Sequence, residues 1–413
     1  MRYLYQVINA ACFMKGIFRL HGTIKHYDWG GSELIPALLN RPAGGQPFAE
    51  YWLGAHPTDH CLIEFPDGST RLLRDLIREH PELLGSRVRD EFHQLPYLLK
   101  LLDVRQMLSI QVHPDKTRAQ REFARENAAG IPLNARNRNY RDPNHKPELM
   151  VALSEFWLLH GFKPGDKLQS TLDEIPEFAG LLPVFHREGH AGLYRRVMEM
   201  PQHEVNAVLQ PLVNRLLHAY ADARLTPDHE NFWAARAAND FCTPARIDRG
   251  IFSIYFLNLV KLEKGEGIFQ SAGVPHSYLE GRNVEIMASS DNVLRGGLTT
   301  KHIDVPELLD VVKAEPAEVR VIKAIGGTEK FYPAPAPDFA LSSLGLKTGQ
   351  RFRFEPRTAE TLLLVSGEVE GGAHGQQIVL RKGEPAAICF PGEAVELNAS
   401  VDSLIYRASV PGE

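Results

Sequence analysis

Between Gly165 and about Phe241 the apolar residues recur at the spacing of an α-helix, and on both sides of that stretch they recur at the spacing of short β-strands. This change of period constrains the fold most, because it predicts a mainly β chain interrupted by a helical insertion. In "HEVNAVLQPLVNRLLHAY", Val205, Val208, Leu209, Leu212 and Leu216 share one apolar helix face, which Pro211 is expected to kink. Such a face packs; it carries no chemistry.

Upstream, "PFAEYWLGAHP", "LPYLLKLLDV" and "MLSIQVHP" read as strands separated by the turns "PAGGQP" and "FPDGST". Downstream, strand signals resume at "GIFSIYFLNLVKLEKGEGIFQSAGVPHSYLEG". A short helix follows around "VPELLDVV", and the tail from about Glu315 is nearly all β. "LEKGEGIFQSAGVPH" and "LRKGEPAAICFPGEA" align on K-G-E and place His276 opposite Ala394, as in the Gly-Glu turns of small barrels of the cupin or jelly-roll kind. The expected organisation is two such barrels plus an α-helical domain. Residues 14–165 and 246–314 would form the catalytic unit, 166–245 the helical insertion and 315–413 a C-terminal β unit. His374 is the last unit's only histidine, which leaves that unit without a histidine-based metal cage and gives it a structural role.

At 413 residues with 44% hydrophobic and 23% charged side chains, the chain buries a large core, and a formal net charge of −5 gives no global reason to bind nucleic acid or anionic membrane. Cys12, Cys61, Cys242 and Cys389 are widely spaced and lack C-x-x-C, which fits a reducing cytoplasm. The N-terminal run is interrupted by Arg2, Gln6, Asn9, Lys15 and Arg19, too often for a membrane span. Met14 opens a cleaner segment, which makes residues 1–13 a candidate upstream extension.

In "LSIQVHPDK", Ser109, Gln111 and His113 alternate with Leu108, Ile110 and Val112, so the three polar groups share one strand face that either meets water or lines a site. Gln111 and His113 would reach one ion together, and Glu148 in "DPNHKPELM" with His276 in "GVPHSYLEG" completes two nitrogens and two oxygens. That set suits Zn²⁺ with a position left for water or substrate. Taken singly, each stretch has an ordinary reading: a solvated sheet face, a surface turn at Lys146, a turn histidine, and a loop given flexibility by Gly296 and Gly297. Their joint occurrence carries the argument.

In order along the chain, "YDWGG", "AEYWLGAHP", "LPYLLKLLD", "LSIQVHPDK", "DPNHKPEL", "GFKPGD", "NLVKLEKGEG", "VPHSYLEG" and "EIMASSDNVLRGGLTTKHIDV" resemble the blocks of type I mannose-6-phosphate isomerases. The resemblance implies one zinc ion per chain on Gln111, His113, Glu148 and His276. It also implies exchange of mannose 6-phosphate with fructose 6-phosphate through a cis-enediol. Proton transfer falls to His145, Lys146 or Glu285. Arg295 stabilises charge, and Ser109, Lys100, Lys301 and Tyr278 bind substrate. Thr300 stands where the family pattern has proline, which loosens the loop of Lys301. The competing classes are a cupin metal oxygenase and a non-catalytic sugar-phosphate-binding bicupin. The implied partner is a small sugar phosphate, in a cytoplasmic monomer or weak homo-oligomer.

Overall fold

The computed structural model describes residues 14–58 and 60–412, so the expected extension 1–13 lies outside the described residues. Among the described residues the strands gather into sheets of eleven, nine and four strands, with a block of helices between residues 165 and 256 and further helices outside it, among them Lys116–Ala128 and Val305–Val311.

The eleven-stranded sheet is organised around the strand His276–Ala288. Its second half, from Gly281, lies between Tyr97–Val104 and Glu148–Ala152. Its first residues pair instead with Ile110–Val112 and Phe156–Phe162. The register shifts between Tyr278 and Glu280, beside Gly281 at φ 135°. A Cβ at Gly281 would meet the Phe156 ring and the Glu155 carbonyl, so only glycine lets the strand turn this corner. One strand thereby presents His276 to one half of the sheet and Glu285 to the other.

The helix Gln202–Ala221 buries Val205, Leu209, Leu212, Val213 and Leu216, close to the face expected, and runs as one helix through Pro211. Gly250–Phe256 is also helix, where a strand was expected. Its seven residues are all buried, with Phe252, Tyr255 and Phe256 packed on Phe178 of the insertion. A run apolar on every side meets its burial requirement as a short enclosed helix as well as it would as a strand, and here the helical neighbours decide. The same core takes in Ile110, Val112, Leu159, Phe162 and Leu294, which seats the insertion on the outer face of the strands that carry Gln111 and Arg295.

The nine- and four-stranded sheets face each other across Ile17, Leu344, Leu364, Val395, Leu397 and Ile405. The first strand, Gly16–His21, pairs with Ala386–Phe390 on one side and Leu62–Glu64 on the other, so N-terminal strands complete a sheet otherwise made by residues after 324. A second core runs from Phe18, Tyr97, Leu149 and Val284 to Tyr332, Phe339, Leu363 and Tyr406. Both K-G-E turns place their glycine at positive φ, 89° at Gly265 and 97° at Gly383, just ahead of the strands Glu266–Gln270 and Ala386–Phe390.

Candidate metal centre and active site

The short strand Ile110–Val112 pairs through Gln111 with both His276 and Arg295, which brings three of the singled-out residues onto adjacent strands. Glu148 opens its own strand two places after Lys146. The ligand atoms of His113, Glu148 and His276 lie within 4.8 Å of one another, all buried. His113 Nε2 is 3.5 Å from Glu148 Oε1, and His276 Nε2 is 3.4 Å from Glu148 Oε2.

The tautomers follow from the carbonyls behind the rings. His113 Nδ1 lies 2.8 Å from the Asn292 carbonyl, and His276 Nδ1 lies 3.0 Å from that of Val274. A carbonyl only accepts, so each Nδ1 carries a proton, and in a neutral ring the lone pair then sits on Nε2. His113 Nε2 is buried without a hydrogen-bond partner among the described residues. Burial pushes the His113 imidazole down to about 4, so it stays neutral. Burial opposes ionisation of Glu148, but the Lys146 ammonium, 3.0 Å away, and the two imidazoles outweigh it and hold the carboxyl well below its usual range. Two imidazoles, that of His113 neutral, and an ionised carboxylate, with His113 Nε2 lacking a hydrogen-bond partner, fit a divalent cation. Gln111 borders the same cavity.

A second network stands beside this one. Lys100 Nζ donates to Glu285 Oε1 at 3.0 Å and lies 3.9 Å from Glu50 Oε2 and 5.2 Å from the Trp52 ring centre. Tyr278 OH donates to Glu285 Oε2 at 2.8 Å, and Trp52 Nε1 donates to Glu50. Burial would discharge Lys100, yet Glu285 and Glu50 raise its pKa above the usual lysine value; burial raises that of Glu285, only partly offset by Lys100. Burial and the Glu285 carboxylate push Tyr278 well up, so it remains a donor. These residues with Gln111, Lys146, Glu148, His276 and Leu108 enclose about 70 Å³. Leu108 takes a place in this wall because the regular strand begins only at Ile110, and Ser109 stands outside the lining.

Arg295 and Lys301 form no ion pair among the described residues. Burial lowers the pKa of both, Arg141 lowers that of Arg295 further, and Arg295 and Arg141 lower that of Lys301, offset only in part by Glu50, so three cations converge. His145 Nε2 lies 2.8 Å from Asp338 Oδ2. A larger groove of about 790 Å³, between Asp103, Arg282 and the helix Glu230–Phe241, lies apart from the metal ligands, and its Arg236 and Arg282 are paired with Glu280 and Glu33.

Sequence reasoning missed Glu50, Arg141, Asn292 and Asp338. Asn292 Oδ1 accepts from the backbone N–H of Arg141 and Asp142, and its Nδ2 donates to the Asn144 carbonyl, so the residue that holds His113 also shapes the turn leading to Glu148. Its place in "SSDNVLRGG" was the available signal. His160 and Gln270 were missed as well. They sit opposite His276 and Glu148 in the strand register and bond to each other at 2.8 Å.

A buried two-histidine, one-carboxylate centre beside an ionised polar cavity, on a mainly β scaffold, defines a metalloenzyme. Residues 17–165 match the model of the phosphomannose isomerase type I catalytic domain. The mannose-6-phosphate isomerase of Salmonella typhimurium is 38% identical over 392 residues, covering 92% of this chain and 94% of that one. The human mannose-6-phosphate isomerase is 31% identical over 434 residues, covering 95% and 98%. A solved zinc-bound mannose 6-phosphate isomerase superposes with a TM-score of 0.85 at 34% identity, over 96% of this chain and all of that one. The Salmonella typhimurium enzyme bound to substrate and zinc superposes at 0.82, also at 34% identity and over 96% and 100% of the two chains. The chain belongs to the type I mannose-6-phosphate isomerase family.

Proposed function

We propose that this protein is a zinc-dependent aldose–ketose isomerase that exchanges mannose 6-phosphate and fructose 6-phosphate through a cis-enediol. The observation that carries the reading is the orphaned, neutral His113 Nε2 facing Glu148 and His276 beside a cavity lined by ionised lysine and glutamate. Gln111, His113, Glu148 and His276 would hold the zinc. When bound, it supplies a Lewis acid that polarises the sugar carbonyl and its neighbouring hydroxyl.

The chain's own groups do the rest. Tyr278, kept protonated, and Lys100, kept charged, hold Glu285 in one orientation, in which it accepts from a sugar hydroxyl. The space of about 70 Å³ admits the reacting end of the sugar, and the phosphate reaches outward to Arg141, Arg295 and Lys301, whose convergence suits a dianion. Lys100 is neutralised by Glu285, which speaks against the phosphate role first expected of it. Of the three proton carriers considered, Glu285 is engaged by Lys100 and Tyr278, and Lys146 by Glu148. His145, a quarter exposed, has only its Nε2 engaged among the described residues, so it is assigned the proton transfer between C1 and C2.

The eleven-stranded sheet is read as a cupin barrel built from 14–165 and 246–314, with 166–245 as the helical domain. The facing sheets of 315–413 form a jelly-roll unit completed by Gly16–His21. The thiols of Cys61, Cys242 and Cys389 and a phosphorylated substrate support a cytoplasmic enzyme. No helix among the described residues is long and apolar enough to cross a membrane. The oxygenase and pure binding alternatives find no support in the relatives named above. A coupled assay for fructose 6-phosphate tests the proposal: activity should vanish after chelation and return with stoichiometric zinc. Full turnover in metal-free protein would overturn it.

A further inference from the structure

The contact between His145 and Asp338 joins parts of the chain 193 residues apart. Asp338 ends the segment "PAPAPD" between the strands Glu329–Tyr332 and Ala340–Leu346 of the C-terminal unit. Three prolines in alternate positions fix φ and stiffen the approach. Ala336 and Phe339, on either side of Asp338, are buried in the core that also contains Leu149 and Val151, the residues following Glu148. The carboxylate is thus delivered by a rigid, anchored loop. Asp338 is itself buried, at 2% exposure, and a carboxylate removed from water needs a donor. The donor is the His145 ring, at 2.8 Å.

The residues that flank His145 are fixed as well. Asn144 donates through Nδ2 to the Ser289 carbonyl, and Lys146 is tied to Glu148. An ionised carboxylate only accepts, so the ring nitrogen facing it must carry the hydrogen. For neutral His145 this leaves Nδ1 with the lone pair, in a side chain that keeps about a quarter of its surface open.

We infer that Asp338 is a positioning residue of the isomerase: the C-terminal unit reaches into the catalytic unit to fix His145 in the Nε2–H form, which leaves Nδ1 as the proton acceptor. The inference rests on the isomerase reading above. In the mannose-to-fructose direction, Nδ1 takes the C2 proton while the C2–H electron pair forms the C1–C2 double bond and the C1=O pair moves onto O1; the O2 proton passes to O1, and as C2=O forms the C1–C2 pair takes a proton at C1. The imidazolium faces the Asp338 carboxylate at 2.8 Å, and it returns the proton to C1. No oxidant or second reactant is required. The division of labour is that of a histidine–carboxylate pair in which the acid orients and the imidazole transfers. It also gives the C-terminal unit a part in the chemistry, where the sequence assigned it structure alone.

The test uses the zinc-loaded full chain. The ¹⁵N spectrum of histidine-labelled protein should show His145 as the Nε2–H tautomer, and Asp338→Ala should convert it to a tautomer mixture. In the same variant kcat should fall about 10- to 100-fold, the scale for carboxylates that orient a functional histidine, with KM and zinc stoichiometry within about twofold. Asp338→Glu should recover part of the loss. The double variant His145→Gln/Asp338→Ala should be no slower than His145→Gln alone, because Asp338 acts through the ring. Asp338→Asn, nearly isosteric, serves if the alanine variant does not fold. An unchanged tautomer and kcat in an otherwise active enzyme, or losses that multiply in the double variant, would reduce Asp338 to a strut between units and overturn the inference. A wild-type enzyme inactive on mannose 6-phosphate would overturn the isomerase reading instead, and the tautomer spectrum would then decide the hold of Asp338 on His145 by itself.

Discussion

His113 and Arg295 reach the site from neighbouring strands, but they depend on their surroundings in different ways. His113 is oriented by Asn292, whose carbonyl takes its Nδ1–H and whose side chain satisfies backbone groups of residues 141–144. Removing that amide leaves several buried groups without partners, each costing roughly 1–3 kcal/mol. Asn292→Ala is therefore expected to lower stability by about 3 kcal/mol and weaken zinc binding about 10- to 100-fold, read by thermal unfolding and by competition with a chelator. Arg295 and Arg141, proposed above to share the substrate phosphate, differ in exposure, Arg295 half-buried and Arg141 exposed. Arg295→Ala should lower kcat by roughly 10²–10³-fold with zinc retained, as on removing one donor to developing charge. Arg141→Ala should act mainly through KM and weaken inhibition by inorganic phosphate. Steady-state kinetics of the two metal-replete variants would separate these roles. The candidate metal site of His113, Glu148 and His276 was legible in the sequence because its donor chemistry is local to short motifs. Arg141 was not, since an exposed arginine gains meaning only beside Arg295 and Lys301.

Among the elements, the strand Leu294–Gly297 shows how closely the helical insertion is fitted to the site. At Gly297, φ is 135° and a Cβ would lie 2.4 Å from the Cα of Gly250, the first residue of the buried helix Gly250–Phe256. Backbone meets backbone there, and neither side has a flexible atom to move. Gly297→Ala should cost about 3 kcal/mol or more and, by shifting the strand that carries Arg295, reduce kcat as well. Calorimetry together with the isomerase assay checks both effects. The strand Phe156–Phe162 contributes differently, through His160, which burial drives down to about 4. Its folded pKa lies below the unfolded value, so the unfolded chain binds the extra proton first. The stability it allows is fully present above about pH 6.5 and is lost as pH falls toward 4, by ~3 kcal/mol at most. His160→Gln should flatten the decline of the melting temperature across that window. A decline as steep as in the wild type would remove His160 as its source.

For the whole molecule, the shared sheet and shared core predict that the catalytic unit does not stand alone. A chain ending at residue 314 would leave Gly16–His21 without Ala386–Phe390, open an apolar face over Phe18, Tyr97, Leu149 and Val284, and strip Tyr97 OH of its bond to the Ala359 carbonyl. It should be recovered aggregated, or as an expanded species with exposed apolar surface, and zinc should not restore a cooperative melting transition. A compact, zinc-binding fragment would contradict this. The sequence by itself determined the mainly β character, the helical insertion, the K-G-E turns and the candidate metal site of His113, Glu148 and His276. Those properties depend on periodicity, turn chemistry and donor type, each readable within about ten residues. Tertiary structure alone decided that Gly250–Phe256 coils, that the first strand joins the last sheet, that Lys100 is neutralised by Glu285 and that Asp338 meets His145. The physical reason is the same in each case. A short apolar run, an unpaired strand edge and a buried charge are satisfied only by partners far away in the chain, and the local sequence does not name them.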